Sequence, residues 1–466
     1  MTNTENMYTI YIYYTYHIHM PIIKKIEIPD ISKIDNDKII KLFHNEAVRA
    51  LVQKSMLPYA YWDKIKHWPV PDGVNNLELW AFIKLLRKNI FDRRKSLVRN
   101  EEGKFFTWTP LLPKLEKFLH ETDMRLGGNL FTSGNQIDDD LQHRFLSRGV
   151  MEEAIASSQL EGAHTSRKIA KQIILEGRKP RNKDEQMIVN NYKAMRLIEV
   201  ELKDQKLDEE FLFLLHKTLT EGTLDNLDVG RYRKDEDEII VGCDNTKNEI
   251  YHIPPKEIFF KQEIKRFIAY ANNDLKDDSF THPVIKAIII HFWIGFLHPF
   301  FDGNGRMARA LFYWYLLREK YWAFGYLPLS KVIKNSPAQY RDAYIYSEQD
   351  ENDLTYFIEY NINKIDQAMR EFDVYADKKW KENTKMAKIA REKYQLNDRQ
   401  IQLLRYYYKN KDVTTSATTH MKVYEISRIT ATKDLRDLEE QGFISSKKVG
   451  QTIYYYATEK VAILFS

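Results

Sequence analysis

Between residues 298 and 309 the chain reads HPFFDGNGRMAR, which sets His298, Asp302, Gly303, Asn304, Gly305, Arg306 and Arg309 close together. Each of these types suits one part of phosphate-bond chemistry. The glycines remove side chains that would keep a phosphate from the backbone N–H groups. A loop entering a helix N-terminus offers unpaired N–H donors and the positive end of the helix dipole. Asn304 can donate to a phosphate oxygen, and Arg306 and Arg309, three apart on a helix, can both reach a polyphosphate. Asp302 suits Mg²⁺, which takes a carboxylate together with phosphate oxygens. His298, just ahead of a proline, is a base whose ordinary pKa lies near neutrality. A capping loop with surface arginines is the plainer reading of any one of them. The whole set points to holding a nucleotide's phosphates and deprotonating an incoming hydroxyl.

The flanking segments say what positions this loop. VIKAIIIHFWIGF before it is apolar almost all round and ARALFYWYLLREKYW after it is rich in bulky apolar residues, the marks of buried central helices. Helical patterns dominate residues 101–375, except at 230–255, where β-branched runs flank a polar turn as in a hairpin. Residues 1–100 form an N-terminal region with two helical patterns separated by HWPVPDG; its His44 and His67 read as surface or packing residues. Residues 376–395 read as a charged helical linker, and 396–466 as a small separate domain.

Composition sets the limits. The 466 residues allow two or three domains with proper cores. Apolar content of 43% and charged content of 29% are those of an ordinary globular protein, and a net charge of +5 permits contact with nucleic acid without arguing for it. The single cysteine, Cys243, excludes an internal disulfide framework and fits a reducing compartment. No apolar run approaches the length of a membrane span, and the start of the chain lacks the basic lead and cleavage site of a signal peptide. The expectation is a cytoplasmic protein with no membrane partner. The Tyr/Ile/His alternation in residues 1–19 reads as an edge strand; the alternative is a disordered lead-in with translation starting at Met20.

HPFFDGNGRMAR resembles the Fic family motif, HPFx(D/E)GNGRxxR, at every specified position. The resemblance extends over roughly residues 101–375 and implies an all-helical domain with a β-hairpin flap that docks a target segment as an added strand. VGRYRKDEDEIIVG is similar to that flap, with Arg233, Ile239, Ile240 and Val241 as docking residues. The implied reaction is transfer of AMP from ATP to a Ser, Thr or Tyr hydroxyl of a protein. His298 would be the general base, Asp302 the Mg²⁺ ligand, Phe300, Gly303, Asn304 and Gly305 part of the phosphate site, and Arg306 and Arg309 the grip on the β- and γ-phosphates. KNSPAQYRDAY is similar to the family's N-K-x-x-Y-Y stretch, with Asn335 in place but Ser336 for the lysine and the tyrosines differently spaced.

MEEAIASSQLEGAHTS resembles the family's inhibitory helix, (S/T)xxxE(G/N), with Ser157, Glu161 and Gly162 in place on a helix at about 145–162. A carboxylate there can pair bidentately with Arg309 and withhold it from the γ-phosphate. The plainer reading has Glu161 facing solvent and Gly162 as a helix terminator. Beside an intact motif loop, inhibition is the reading adopted.

Residues 396–466 resemble a winged helix-turn-helix. Ser427 is an N-cap, Gly442 a helix end, and the last runs form a hairpin wing. In a DNA reader Thr430, Thr432, Lys433 and Arg436 would face the groove and Lys447 and Lys448 the backbone, with Asp434, Asp437, Glu439 and Glu440 tempering the helix's charge. The expected architecture is thus mainly α: a helical Fic domain with a flap, then a winged helix-turn-helix. The expected activity is protein adenylyltransfer, self-modification included, held in check by Glu161. AMP removal or transfer of another phosphate-containing group on the same fold, and a nucleotide-sensing DNA-binding regulator, stand as alternatives. The expected partners are a target protein, DNA and a second copy of the chain.

Overall fold

The computed structural model describes residues 22–89, 92–127, 131–132, 135–136, 139–244, 249–275, 280–409, 413–424 and 426–465. The strand or lead-in expected within residues 1–19 lies outside them. The chain divides into two compact units, Met1–Phe372 and Asp373–Ser466. No helix among the described residues is long and apolar enough to cross a membrane.

The first unit is mainly helical. Its centre is α4 (Pro283–Leu297), with Val284, Ile288, Phe292, Trp293 and Leu297 fully buried, packed against α5 (Asn304–Arg318), which buries Leu311, Trp314 and Leu316. Earlier in the chain α1 (Asp139–Leu160), α2 (Lys183–Leu197) and α3 (Glu209–Thr220) surround this pair. After α5 come α6 (Pro337–Gln349) and the long α7 (Thr355–Tyr394), which carries the chain into the second unit. The loop that joins these two buried helices, with the first turns of α5, carries the candidate residues.

The expected flap is a hairpin of β2 (Val241–Asp244) and β3 (Glu249–His252). A third strand joins it: β1 (Ile22–Ile23) pairs in parallel with β3, in the order β1-β3-β2. Besides the flap, two short hairpins (Arg94–Arg99 with Phe105–Trp108, and Phe131–Thr132 with Asn135–Gln136) add strands that the sequence reading did not contain.

The second unit runs α8 (Asp398–Lys409), β4 (Thr414–Thr415), α9 (Ala417–Tyr424), α10 (Arg428–Glu440), then a hairpin of β5 (Ile444–Val449) and β6 (Thr452–Ala457), with β4 on the outer side of β6. Ser427 caps α10 by accepting from Thr430 N, and Gly442 follows the helix end at φ +72°. Leu404, Leu435, Leu438 and Phe443 close its core.

Candidate active site

The loop between α4 and α5 is shaped by two left-handed residues. His298 ends α4 at φ +46° with its N–H on Ile294 O, and Gly303 opens α5 at φ +85°. A Cβ on Gly303 would lie 3.1 Å from Thr220 Cγ2, so packing as well as φ favours glycine.

Most of the polar groups in the loop face inward. Asn304 accepts from Phe300 N at 2.9 Å and donates to Phe300 O at 2.7 Å, which ties the loop across its own width. The amide thus holds the loop's shape with its oxygen and one of its two N–H donors. Arg306 is almost fully buried, donating to Leu219 O at 2.8 Å and pairing with Asp302 Oδ2 at 3.3 Å. Asp302 Oδ1 takes the Gly303 N–H at 2.6 Å. Phe300 is buried, stacked on the His216 ring at 4.0 Å between centroids.

A cavity opens beside this loop, lined among others by Glu161, His298, Gly305, Arg309, Tyr344 and Glu348, with Val241 and Gly242 of the flap. Arg309 lines it, whereas the Arg306 guanidinium is turned to Leu219 O and Asp302. His298 Nδ1 lies 3.4 Å from Gly295 O. A carbonyl only accepts, so Nδ1 carries the proton and Nε2 keeps its lone pair. Nε2 is buried without a hydrogen-bond partner among the described residues. Burial, the charge of His252 and that of Arg233 push His298 down to about 3, not the near-neutral value the residue type suggested. The imidazole is thus neutral throughout the physiological range.

Above the first turn of α5 stands the end of α1. Arg309 Nε donates to Ser157 Oγ at 2.9 Å, and Nη2 reaches Ser157 O at 3.1 Å and Glu161 Oε1 at 2.7 Å. The pair is made through one carboxylate oxygen, not two; Ser157 takes the other contacts. Gly162 turns the chain away at φ +94°. A Cβ on Gly305 would overlap the Glu161 carboxylate, so glycine is what lets that carboxylate settle on the helix N-terminus.

The remaining expected residues fall differently. Asn335 is exposed at the end of a short helix, and it is Tyr340 and Tyr344, one turn apart on α6, that line the cavity. Arg233 is buried, with its Nε on His298 O at 2.7 Å and its N–H on Pro299 O at 2.9 Å. It clamps the loop rather than offering a docking surface. Ile239 and Ile240 precede β2, half-buried, and Val241 begins it.

Two residues escaped the sequence reading. His216 of α3 accepts from Gly230 N at Nδ1 (3.0 Å), which leaves Nε2–H to donate to Asp302 O at 2.9 Å; burial pushes this histidine down to about 4. Nothing near it in sequence signals the role. Glu153 is buried against Tyr313 OH (2.9 Å) and Ser330 N (2.8 Å), and burial raises its carboxyl. Here a signal existed, because Glu153, Ser157 and Glu161 are spaced by four along one helix face.

The stretch that carries this loop matches a known family. Residues 206–316 match the Fic/DOC family. The match spans α3, the flap, α4 and nearly all of α5, and leaves out α1, α6 and the second unit. Curated relatives include Protein adenylyltransferase Fic of Drosophila sechellia, 35% identical over 85 residues, 18% of this chain and 17% of that one. Another is the same-named protein of Drosophila erecta, 30% identical over 131 residues, 28% of this chain and 22% of that one. The chain thus spans about a fifth of the length of these relatives. Solved structures similar to it include a Fic family protein from Desulfovibrio desulfuricans (21% identity, TM-score 0.46, 75% of this chain and 96% of that one) and Fic-1 of C. elegans (18% identity, TM-score 0.46, 73% and 86%).

Proposed function

We propose that the first unit transfers AMP from ATP to a Ser, Thr or Tyr hydroxyl of a target protein, its own chain included, and that Glu161 holds the reaction in check. The observation that carries this reading is the Nε2 of His298, without a partner among the described residues, in the wall of the cavity that also holds Arg309. The Fic/DOC match and the names of the Drosophila relatives support it. Nε2 accepts the hydroxyl proton while the hydroxyl oxygen bonds to the α-phosphorus. The bond from that phosphorus to the bridging oxygen breaks, and pyrophosphate leaves with the electron pair. Arg309 and the N–H groups opening α5 bind the phosphates.

No group of three or more His, Cys, Asp or Glu among the described residues could hold a metal alone. Asp302, whose oxygens each keep acceptor capacity beyond Gly303 N and Arg306, fits the one-carboxylate share of a Mg²⁺ shell completed by phosphate oxygens. When bound, the ion would offset charge building on the leaving pyrophosphate. The Glu161 carboxylate lies where an anion would meet the α5 N-terminus, which supports its inhibitory role. With β1 on β3, β2 is the hairpin strand left with an open edge, where a target segment would add as a strand. The test is intact-mass analysis of Glu161→Gly with ATP and Mg²⁺. Gain of one AMP per modified hydroxyl is expected, and an unchanged mass with every candidate target overturns the reading.

For the second unit we propose binding of duplex DNA by a winged helix-turn-helix, on the strength of Asp434. That carboxylate is buried, held by Arg399 Nε at 2.8 Å and Asn397 Nδ2 at 2.8 Å. It does not temper the outer face of α10, where Arg428, Lys433 and Arg436 are exposed and Ile429 is 84% exposed. The lysines of β5, Lys447 and Lys448, are exposed as well.

A further inference from the structure

His252, the last residue of β3, sits between two acceptors. Its Nδ1 is 2.7 Å from Glu348 Oε2 on α6, and its Nε2 is 2.8 Å from the Phe296 carbonyl on α4. A neutral imidazole has one N–H and one lone pair, so with an acceptor at each nitrogen it would set a lone pair against an oxygen. An imidazolium donates to both. The ring is nearly buried, 10% exposed, and the Glu348 side chain is 19% exposed, so solvent screens the pair little. One ring thereby joins the flap, α4 and α6, and it does so two residues from His298 along α4's end.

We propose that His252 is held as an imidazolium and is a positioning residue for the transfer reaction: it pins β3 over the cavity, and its charge, in the same cavity wall as His298, adds to the burial that keeps the base free to accept a proton. This rests on the assignment of His298 as the base. The charged and titratable groups around the ring come from every element packed on it. Glu348 of α6 favours the charge; Arg233, ahead of the flap, opposes it, as burial does. His298, at the end of α4, is pushed down by it. The outcome for His252 is a rise above the ordinary histidine value, so the clamp is whole below that value and is lost as pH climbs through the raised one.

The experiment is imidazole ¹⁵N NMR on the full chain labelled at histidine, with His252 assigned by the signal missing in His252→Gln. An imidazolium pattern at pH 7 is expected, and Glu348→Gln should move its titration down by about 1–3 units. A neutral-tautomer pattern at pH 7, or a midpoint unmoved by Glu348→Gln, overturns the proposal. Should His252→Gln not fold, the signal that Glu348→Gln displaces supplies the assignment. In the Glu161→Gly background the acid limb of the transfer rate should shift to higher pH in His252→Gln. A rate lowered equally at every pH would mean a structural role alone and would also overturn it. Absence of any AMP transfer would count against the proposed function, while the NMR pattern would still decide the state of His252.

Discussion

The Glu161 carboxylate rests so closely on Gly305 that a methyl group at position 305 would overlap it. The inhibitory residue and the motif glycine are therefore fitted to one another, although they belong to segments far apart in the chain. The carboxylate lies against the first turn of α5, where free N–H groups and the helix dipole would otherwise attract a phosphate.

Removing that carboxylate should release both the anion site and Arg309. Glu161→Gly is expected to raise AMP transfer well above the parent's, whereas Arg309→Ala, which also breaks the pair, should not be activated because the phosphate anchor goes with it. The double variant should be as poor as Arg309→Ala. Transfer of label from α-³²P ATP measures all three; full activity in the double variant would sink the inhibitory account.

His298→Ala in the Glu161→Gly background should lose about 10²–10⁴-fold in rate. ATP affinity, measured by calorimetry, should change little, since the imidazole acts on the hydroxyl. A variant that labels protein as fast as its parent would remove His298 from the mechanism.

Asn304→Ala tests the loop's internal tie. Truncation strands the Phe300 N–H and C=O in a buried setting, each unmet group costing about 1–3 kcal/mol. A lowered thermal midpoint is expected in the parent, without ATP. A midpoint equal to the parent's would return the amide to a purely ligand-facing role.

Stability should fall in mild acid. His216 is pushed down to about 4, and His291 and His298 to about 3, burial being the main cause in each. Between those values and the ordinary histidine value of about 6.5 the unfolded chain binds more protons than the folded one. The contribution is whole above about 6.5 and shrinks steadily as pH drops below it. Thermal melts from pH 7.5 to 4.5 should show the decline; a flat profile would contradict the buried neutral histidines.

Lys433→Glu with Arg436→Glu should abolish duplex DNA binding by the full chain, read by fluorescence anisotropy. The parent's affinity should fall steeply with salt as counterions are released. Parent binding that ignores salt, or survives both substitutions, would exclude α10 as the contact.

Much of the site was legible because its chemistry is local. The HPFFDGNGRMAR loop, the flanking apolar helices and the four-residue spacing to Glu161 are all contiguous patterns. What stayed hidden was orientation. Arg306 and Arg309 differ by three positions, yet one braces Leu219 O of α3 and the other meets Ser157 and Glu161 at the end of α1. His216 and His252 act across distances in sequence that periodicity does not span. The depressed value at His298 is hidden from the sequence for the same reason, since burial and the charges of His252 and Arg233 are tertiary facts.

The parallel pairing of Ile22–Ile23 with Glu249–Ile250 has a kinetic consequence. A parallel contact between segments more than two hundred positions apart carries a large loop-closure cost, and such pairings form late. During synthesis, Ile22 and Ile23 leave the ribosome long before their partner strand exists. The central helices can assemble from contacts nearer in sequence, so the third strand of the flap sheet is expected to order last and to fray first.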